Sequence, residues 1–245
     1  MSRPFLTAHW RRLALVNYVV DPEVLQPFLP AGTELDRWNG HCYVSLVGFV
    51  FRDTRLRGLP IPYHRHFEEV NLRFYVTRRE GDEVKRGVVF VQEIVPRPAL
   101  TWVARTIYKE PYRTMPMEHV HRERDGDLFV SYSWHCGQRR HVLKMVADLA
   151  PQDMSPGSEA EFITEHYWGY TRVAHDHTRE YEVRHPRWRV HGVRHHALDV
   201  DLGRLYGPRF AFLNDQAPAS VLLAEGSPVQ VMNGRKLRLH PSARS

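Results

Sequence analysis

Cysteine is scarce in this chain of 245 residues, which contains only Cys42 and Cys136. Two cysteines are too few for a disulfide framework, and their separation does not match the spacing of a zinc site. No run of about 18 apolar residues occurs, so no membrane-spanning helix is predicted. The first residues also lack the apolar stretch of a signal peptide. We therefore expect a cytoplasmic protein that does not associate with membranes.

Lysine is scarce as well, because only four of the 34 basic residues are lysines and all the others are arginines. The formal net charge of +6 is of the sign that a nucleic-acid-binding protein carries. The arginines, however, are scattered among 28 acidic residues, and no long basic tract or recognition-helix pattern stands out. We therefore expect no nucleic-acid partner.

Several motifs of common enzymes are absent. Without Gly-x-Ser-x-Gly there is no signal for the nucleophile elbow of an α/β-hydrolase, and without Gly-x-Gly-x-x-Gly or the phosphate-loop motif no nucleotide site is indicated. Among the 16 histidines, His119 and His121 share one face of a predicted strand. Zinc needs three or four converging ligands, and the spacing supplies no third. We predict no metal site and no cofactor.

The most informative stretch that is present reads as a β-strand with two different faces, residues 67–76. With period two, one face carries the apolar side chains Val70, Leu72, Phe74 and Val76, and the other carries Glu69, Asn71, Arg73 and Tyr75. Neighbouring side chains on one face lie about 7 Å apart. The polar face is a binding wall if it lines a cleft, and an ordinary solvated surface if it faces water.

Antiparallel strands dominate the rest of the predicted secondary structure. Strands are predicted at 8–20, 42–51, 70–79, 87–95, 116–124, 127–135, 170–175, 179–184, 188–200 and 219–224, and helices at 21–30, 98–108, 158–168 and 201–206. The periodicity of 141–149 is compatible with either a strand or a helix. Many short antiparallel strands with a few interrupting helices are typical of an α+β fold with a barrel-like sheet. We predict a single domain over residues 1–245.

Four short motifs carry a family resemblance. They are Leu-Pro-x-Gly-Thr-x-Leu-Asp at 29–36, Phe-x-Glu-x-Asn-x-Arg at 67–73, Thr-Glu-His-Tyr-Trp at 164–168 and His-Pro-x-Trp at 185–188. In this order they resemble the YqjF-like family, a domain of unknown function in the acetoacetate decarboxylase-like superfamily. The resemblance covers residues 5–235. It implies an α+β domain built on a cone-shaped, largely antiparallel β-barrel with a central cavity, and it assigns no reaction.

The resemblance also bears on catalysis. In the decarboxylases of this superfamily a lysine forms a Schiff base with the substrate, and a strand glutamate, to which Glu69 is most similar, lies near it. In the similar stretch 105–113 the lysine position falls on Tyr112, which cannot form an imine. Lys109 lies beside Glu110 and a predicted helix end, and both favour its charged form. The resemblance therefore implies a barrel without the imine-forming lysine.

Three functions are left open by the sequence. The first is a protein that binds a small carboxylate- or carbonyl-containing molecule, with Arg73 and Arg105 pairing with a carboxylate as planar forks. The second is a non-covalent acid/base enzyme that uses Glu69 for enolisation, cyclisation or hydration. The third is a protein-interaction module, which a filled barrel would favour. We expect a small-molecule ligand, and a homo-oligomer is left open.

The candidate site residues follow from the first two hypotheses. They are Glu69 as the catalytic residue, and Asn71, Arg73, Tyr75, Arg105 and Tyr112 as the ligand-binding residues. Near the guanidinium groups of Arg73 and Arg105 the pKa of Glu69 should fall, which favours binding. Against apolar walls the pKa should rise towards neutrality, which favours catalysis.

Overall fold

The computed structural model describes residues 3–103 and 110–238. Its strands are β1 (Leu6–Val20), β2 (Glu34–Leu35), β3 (Cys42–Leu56), β4 (Leu59–Pro60), β5 (Phe67–Glu80), β6 (Glu83–Val95), β7 (Tyr112–Thr114), β8 (Met117–Arg124), β9 (Asp127–Cys136), β10 (Arg139–Asp148), β11 (Gln152–Asp153), β12 (Trp168–Ala174), β13 (His177–Arg184), β14 (Arg189–His191), β15 (Val193–Asp199), β16 (Ser220–Val231) and β17 (Arg235–Arg238). Its helices are α1 (Pro22–Leu25), α2 (Pro98–Val103), α3 (Glu159–Thr164) and α4 (Leu202–Tyr206), with 3-10 helices at Gln26–Phe28 and Pro208–Asn214.

The larger of two sheets curls into a ring. The order of its strands around the ring is β16, β1, β3, β5, β6, β12 and β13, and β13 pairs back with β16 at Val183 and Val231. These pairings are antiparallel except for a short parallel contact between β6 and β12, where Gly87 lies opposite Trp168. The predicted α+β fold is confirmed. The sheet is a mixed ring rather than a strict barrel, because β6 meets β12 in parallel.

Tight turns join predicted strands into antiparallel hairpins. The β5–β6 hairpin turns at Gly81, whose φ is +62°. The β8–β9 hairpin turns at Asp125 and Gly126, whose φ values are +53° and +85°. Two successive positive φ values are typical of the type I′ turn that matches the twist of antiparallel strands.

The second sheet is antiparallel, with the order β15, β10, β9 and β8. Its buried face and one face of the ring share an apolar core. Leu46 and Leu72 of the ring belong to the same buried cluster as Trp134 and Leu143 of the second sheet. Residues 141–149, which the periodicity left open, therefore belong for the most part to the strand β10, whose alternate side chains enter this core.

Several boundaries differ from the predicted ones. The helix predicted at 158–168 begins after the N-cap Ser158, whose side chain accepts the backbone N–H of Glu161, but it ends at Thr164. The chain then extends to pair Trp168 with the ring, so tertiary pairing overrides local helix propensity. The helix predicted at 98–108 is α2 as far as Val103, and its remainder lies outside the described residues. Among the described residues, no helix combines the length and apolarity needed to cross a membrane.

Candidate functional site

A cavity of about 360 Å³ lies inside the ring, and all seven ring strands contribute to its wall. This volume lies within the range of sites that hold small-molecule ligands. Most of the wall is apolar and aromatic, with Trp10, Phe49, Phe51, Phe67 and Phe90 among its residues. Polar side chains interrupt it, and those of Glu69, Asn71 and Arg73 project from β5.

Glu69 lies on this wall because β5 buries both of its faces. The side chain is 2% exposed. Asn71 Nδ2 donates to Glu69 Oε1 at 2.9 Å, and the Tyr112 hydroxyl donates to Glu69 Oε2 at 3.2 Å. Burial raises the pKa of Glu69 from its ordinary 4.5 to about 7, and the carboxyl of Glu110 adds to the rise. Desolvation therefore outweighs the stabilising effect of Arg73, which acts in the opposite direction.

Two further buried carboxyl groups lie on the same wall, and sequence reasoning missed both. Glu93 of β6 is 3% exposed, and Glu110, just before β7, is 7% exposed. Burial raises the pKa of Glu110 to about 7 although the hydroxyls of Thr171 and Tyr181 hydrogen-bond to it. The pKa of Glu93 is well above its ordinary range because of burial and because of repulsion from the other two carboxyls. These acids therefore hold protons near neutral pH.

Arg73 is the arginine of the wall, and its guanidinium forms no ion pair with a carboxylate within residues 3–103 and 110–238. The residue is 7% exposed. Its Nη2 donates to the carbonyl oxygen of Ile163 at 3.3 Å, while Nε has no hydrogen-bond partner in the described part of the chain. A buried guanidinium without a counter-ion is costly, so it marks a position that favours an anionic ligand group.

His166 is a third residue that sequence reasoning missed, although it lies inside the motif at 164–168. It is 7% exposed and lies on the cavity wall. Its Nε2 lies 3.1 Å from Asp36 Oδ2, and Arg86 Nε donates to the same oxygen at 2.8 Å. Burial lowers the pKa of His166 to about 4, although the hydrogen bond to Asp36 acts against this. The ring is therefore neutral near pH 7.

Several polar atoms of this wall lack hydrogen-bond partners. In the described part of the chain, five cavity-lining side chains each contain a buried polar atom without a hydrogen-bond partner: Trp10 Nε1, Asn71 Oδ1, Arg73 Nε, Glu93 Oε2 and His166 Nδ1. Most buried polar atoms in folded proteins are paired, so a cluster of exceptions around one cavity needs a reason. Such atoms can bind the polar groups of a ligand without first breaking protein contacts.

The structure brings together four of the six predicted site residues. Glu69, Asn71, Arg73 and Tyr112 all line the cavity. Tyr75 does not line it, because its hydroxyl lies 2.6 Å from Ser45 Oγ and its ring packs against His166. Arg105 lies outside the described residues, as does Lys109.

The alternation of β6 could have identified Glu93, because it lies directly opposite Asn71. For the predicted His119 and His121 pair, His119 Nδ1 lies 2.6 Å from Glu68, and His121 Nε2 lies 3.0 Å from the Tyr132 hydroxyl. Within the residues that the structure describes, no group of three or more metal-ligating side chains is arranged to hold an ion.

The ring and its cavity define an acetoacetate decarboxylase-like fold. Acetoacetate decarboxylase from Legionella pneumophila superposes with a TM-score of 0.64 at 13% identity, over 96% of this chain and 88% of that one. An acetoacetate decarboxylase-like enzyme from Sphingomonas wittichii gives 0.65 at 12% identity, over 98% and 95%. The enduracididine biosynthesis enzyme MppR gives 0.65 at 15% identity, over 96% and 90%. At these identities the likeness concerns the fold alone.

The family is closer in sequence. The DUF2071 model, described as "Uncharacterized conserved protein (COG2071)", matches residues 7–228, and the chain belongs to this family. The uncharacterised protein YqjF of Bacillus subtilis is 29% identical over 160 residues, which are 65% of this chain. The match spans 62% of the length of that relative. The resemblance inferred from the four motifs is thereby confirmed.

Proposed function

We propose that this protein binds a small carboxylic acid with a carbonyl group in the ring cavity and moves a proton on it, with Glu69 as the base. The observation that carries the proposal is the state of Glu69, a cavity-lining carboxyl whose pKa is raised to about 7 and which accepts a hydrogen bond from Tyr112. A base is most effective when its pKa lies near the working pH. Arg73 supplies the charge that would hold the carboxylate of the ligand.

The proton transfer uses only side chains of the cavity wall. Glu69 in its carboxylate form takes a proton from the carbon next to the carbonyl of the ligand. The electron pair of that C–H bond forms the C=C bond of an enolate, and the negative charge moves to the carbonyl oxygen. Once Glu69 has taken the proton, Tyr112 turns its single hydroxyl hydrogen from Glu69 to this oxygen and stabilises it. Burial and the nearby carboxyls raise the pKa of Tyr112 and keep it protonated. Return of a proton from Glu69 regenerates the carbonyl.

The proposal includes no covalent intermediate. Tyr112 stands where the resemblance places the imine-forming lysine, and none of the lysines in the described residues lies on the cavity wall. An imine would also need a lysine with a lowered pKa. Borohydride reduction in the presence of a β-keto acid is therefore expected to leave no adduct on any lysine. A specific adduct on Lys109 would replace this mechanism with a decarboxylase-like one.

The size and lining of the cavity indicate which probe to use. At about 360 Å³, with an aromatic wall, the cavity suits an acid that carries an apolar arm. The fold neighbour MppR is described in complex with pyruvate, which supports a 2-oxo acid as the reacting part. The molecule 2-oxo-4-phenylbutanoate combines both features and has exchangeable protons next to its carbonyl.

The test is hydrogen–deuterium exchange of this probe in D₂O, followed by proton NMR as the loss of the signal at C3. We expect the protein to accelerate the exchange and Glu69→Gln to reduce the acceleration about 100-fold or more. Glu83→Gln, on the exposed end of β6, is the matched control and should exchange at the rate of the wild type. Binding of the probe without accelerated exchange would instead support a binding protein.

That alternative, a protein that binds without catalysis, draws its support from the unpaired Arg73, because binding needs the guanidinium but not the shifted Glu69. A protein-interaction module has less support, since the ring encloses an open cavity rather than a filled core. We retain the cytoplasm as the proposed location. We propose no nucleic-acid or membrane partner, and a homo-oligomer stays an open possibility.

A further inference from the structure

One end of the polar wall combines a donor atom, Arg73 Nε, with a ring nitrogen, His166 Nδ1, and neither atom has a hydrogen-bond partner in the described part of the chain. The guanidinium carbon of Arg73 lies 5.7 Å from the ring centroid of Tyr75, and the ring of His166 lies 4.7 Å from the same centroid. Arg73 Nη2 also donates to Ile163, three residues before His166. Arg73 and His166 therefore both pack against Tyr75, and both line the cavity.

The partners of His166 determine what its free nitrogen can do. Asp36 is also paired with Arg86 and keeps its charge, so its oxygen accepts a hydrogen from Nε2 of the histidine. In a neutral ring with a hydrogen on Nε2, Nδ1 carries only a lone pair. This atom is buried and has no partner in the described part of the chain. It can therefore bind only a group that donates a hydrogen.

A carboxylate alone satisfies just one half of this arrangement. It accepts hydrogens from Arg73, but it has no hydrogen to offer to His166. A hydroxyl group on the carbon next to the carboxylate supplies the missing hydrogen. The enol of a 2-oxo acid offers the same pair of groups.

We propose that Arg73 and His166 form a subsite for a 2-hydroxy carboxylate or for the enol of a 2-oxo acid. Arg73 binds the carboxylate, and Nδ1 of His166 accepts the hydrogen bond from the neighbouring hydroxyl. Asp36 acts as a positioning residue that holds the ring in this tautomer. The inference rests on the proposed function for the presence of an organic acid in the cavity, but it does not require Glu69 to act as a base.

The experiment compares two ligands that differ only in the hydroxyl group. Isothermal titration calorimetry measures the affinities of 2-hydroxy-4-phenylbutanoate and 4-phenylbutanoate. The wild type is expected to prefer the hydroxy acid about tenfold, the effect of one hydrogen bond to an otherwise unpaired buried atom. His166→Gln introduces a side-chain amide that can donate to Asp36 near the position of Nε2 but places no acceptor at the position of Nδ1, so the preference should fall to about twofold or less.

His64→Gln is the matched control. His64 also lines the cavity, but its Nδ1 lies 2.7 Å from the carbonyl oxygen of Pro62, so this variant should keep the tenfold preference. Equal affinities of the wild type for both acids, or failure to bind the hydroxy acid, would overturn the subsite. So would a preference that survives in His166→Gln.

A second measurement uses the wild type alone, so it does not depend on whether a variant folds. Long-range proton–nitrogen NMR of the wild type reports the tautomer of each histidine, and His166 should show a protonated Nε2 and an unprotonated Nδ1. A protonated Nδ1 would overturn the proposal. The two proposals fail separately, because exchange of 2-oxo-4-phenylbutanoate tests Glu69 alone. If the protein accelerates the exchange but binds the hydroxy acid and 4-phenylbutanoate equally well, the subsite is rejected. If the protein prefers the hydroxy acid but does not accelerate the exchange, the proton transfer is rejected.

Discussion

The two faces of strand β5 are equally buried but are built on opposite chemistry. On one face Val70, Leu72 and Phe74 are completely buried in the apolar core between the ring and the second sheet. On the other face Glu69 and Arg73, at 2% and 7% exposure, line the cavity. The apolar face is packed against other apolar side chains, whereas the polar face contains buried polar atoms without hydrogen-bond partners.

This difference separates what holds the fold together from what the fold presents to a ligand. Burying apolar surface stabilises the native state by about 25 cal/mol per Å². Burying a carboxyl or a guanidinium without a full set of partners destabilises it. Strand β5 therefore stabilises the fold through its apolar face, whereas its polar face lowers the stability of the native state. A polar face that is kept although it destabilises the fold is typical of a functional site.

The largest effect is expected on the apolar face. Leu72→Ala should lower the free energy of unfolding by roughly 2–5 kcal/mol, because it removes buried methyl groups and leaves a cavity in a packed core. Leu59→Ala is the matched control, since Leu59 is 72% exposed and its truncation should change stability by about 0.5 kcal/mol or less. Urea denaturation measures both, and equal effects would show that the Leu72 face does not carry the core.

The fold could be predicted from the sequence where local chemistry and tertiary structure agree. The strands on either side of the Asp125-Gly126 turn, the two strands of the β5–β6 hairpin and the helix that begins after Ser158 were all predicted, because turn and cap residues act within a few positions of the chain. The early end of α3 could not be predicted. It depends on the pairing of Trp168 with Gly87, and no local pattern reports a contact over such a separation.

The site was predictable to the extent that one strand carries it. Period two places Glu69, Asn71 and Arg73 on one face, and the structure brings all three to the cavity. The other residues of the wall come from other elements. Glu110 lies just before β7 and His166 just after α3, outside any periodic strand pattern, so spacing gave no signal for them. The rise in the pKa of Glu69 was likewise unpredictable without knowing how much water the ring excludes.

The polar face predicts a stability that changes with pH. The pKa values of Glu69 and Glu110 are raised from 4.5 to about 7. Between pH 4.5 and about pH 7 the native state therefore holds protons that the unfolded chain has released. Their contribution is therefore fully present below about pH 4.5 and is lost as the pH rises through about 7. For Glu69 the loss is on the order of 3 kcal/mol.

The measurement that isolates this effect is the difference between the wild type and Glu69→Gln, which cannot titrate at this position. His166 acts in the opposite direction, since its lowered pKa removes stability as the pH falls below about 6.5. Urea denaturation between about pH 5 and about pH 8 should show the variant gaining stability relative to the wild type as the pH rises. A constant difference would mean that Glu69 titrates normally.

A smaller effect is expected where the ring makes room for Tyr181. A methyl group at Gly169 would lie 2.2 Å from Cζ and 2.5 Å from the hydroxyl oxygen of that tyrosine. Gly169→Ala should therefore displace the ring from Glu110 and cost about 1–3 kcal/mol. In a Tyr181→Leu background the clash is absent, so the same substitution should cost less than about 1 kcal/mol. If thermal unfolding shows that the effects of Gly169→Ala and Tyr181→Leu are additive, the cost of Gly169→Ala does not come from a clash with Tyr181.

The smallest expected change in stability is that of Arg73→Met on the polar face, and its sign is opposite to that of Leu72→Ala on the apolar face. Arg73→Met should leave the protein as stable as the wild type, or about 1 kcal/mol more stable, because it removes an unpaired buried charge and keeps the length of the side chain. Leu72→Ala should destabilise the protein, although Leu72 is next to Arg73 in the sequence. The same Arg73 variant should lose most of its affinity for 4-phenylbutanoate, which has a carboxylate and no hydroxyl.

Arg78 provides the control on the same strand. It is buried to the same degree, at 8% exposure, but Nη1 donates to Glu180 at 2.9 Å. Arg78→Met leaves that acid with fewer partners and should cost roughly 3–5 kcal/mol. If Arg73→Met destabilises the protein as much as Arg78→Met does, then Arg73 is a structural cation. A stable Arg73→Met variant that no longer binds the acid shows instead that the protein keeps this charge for its ligand.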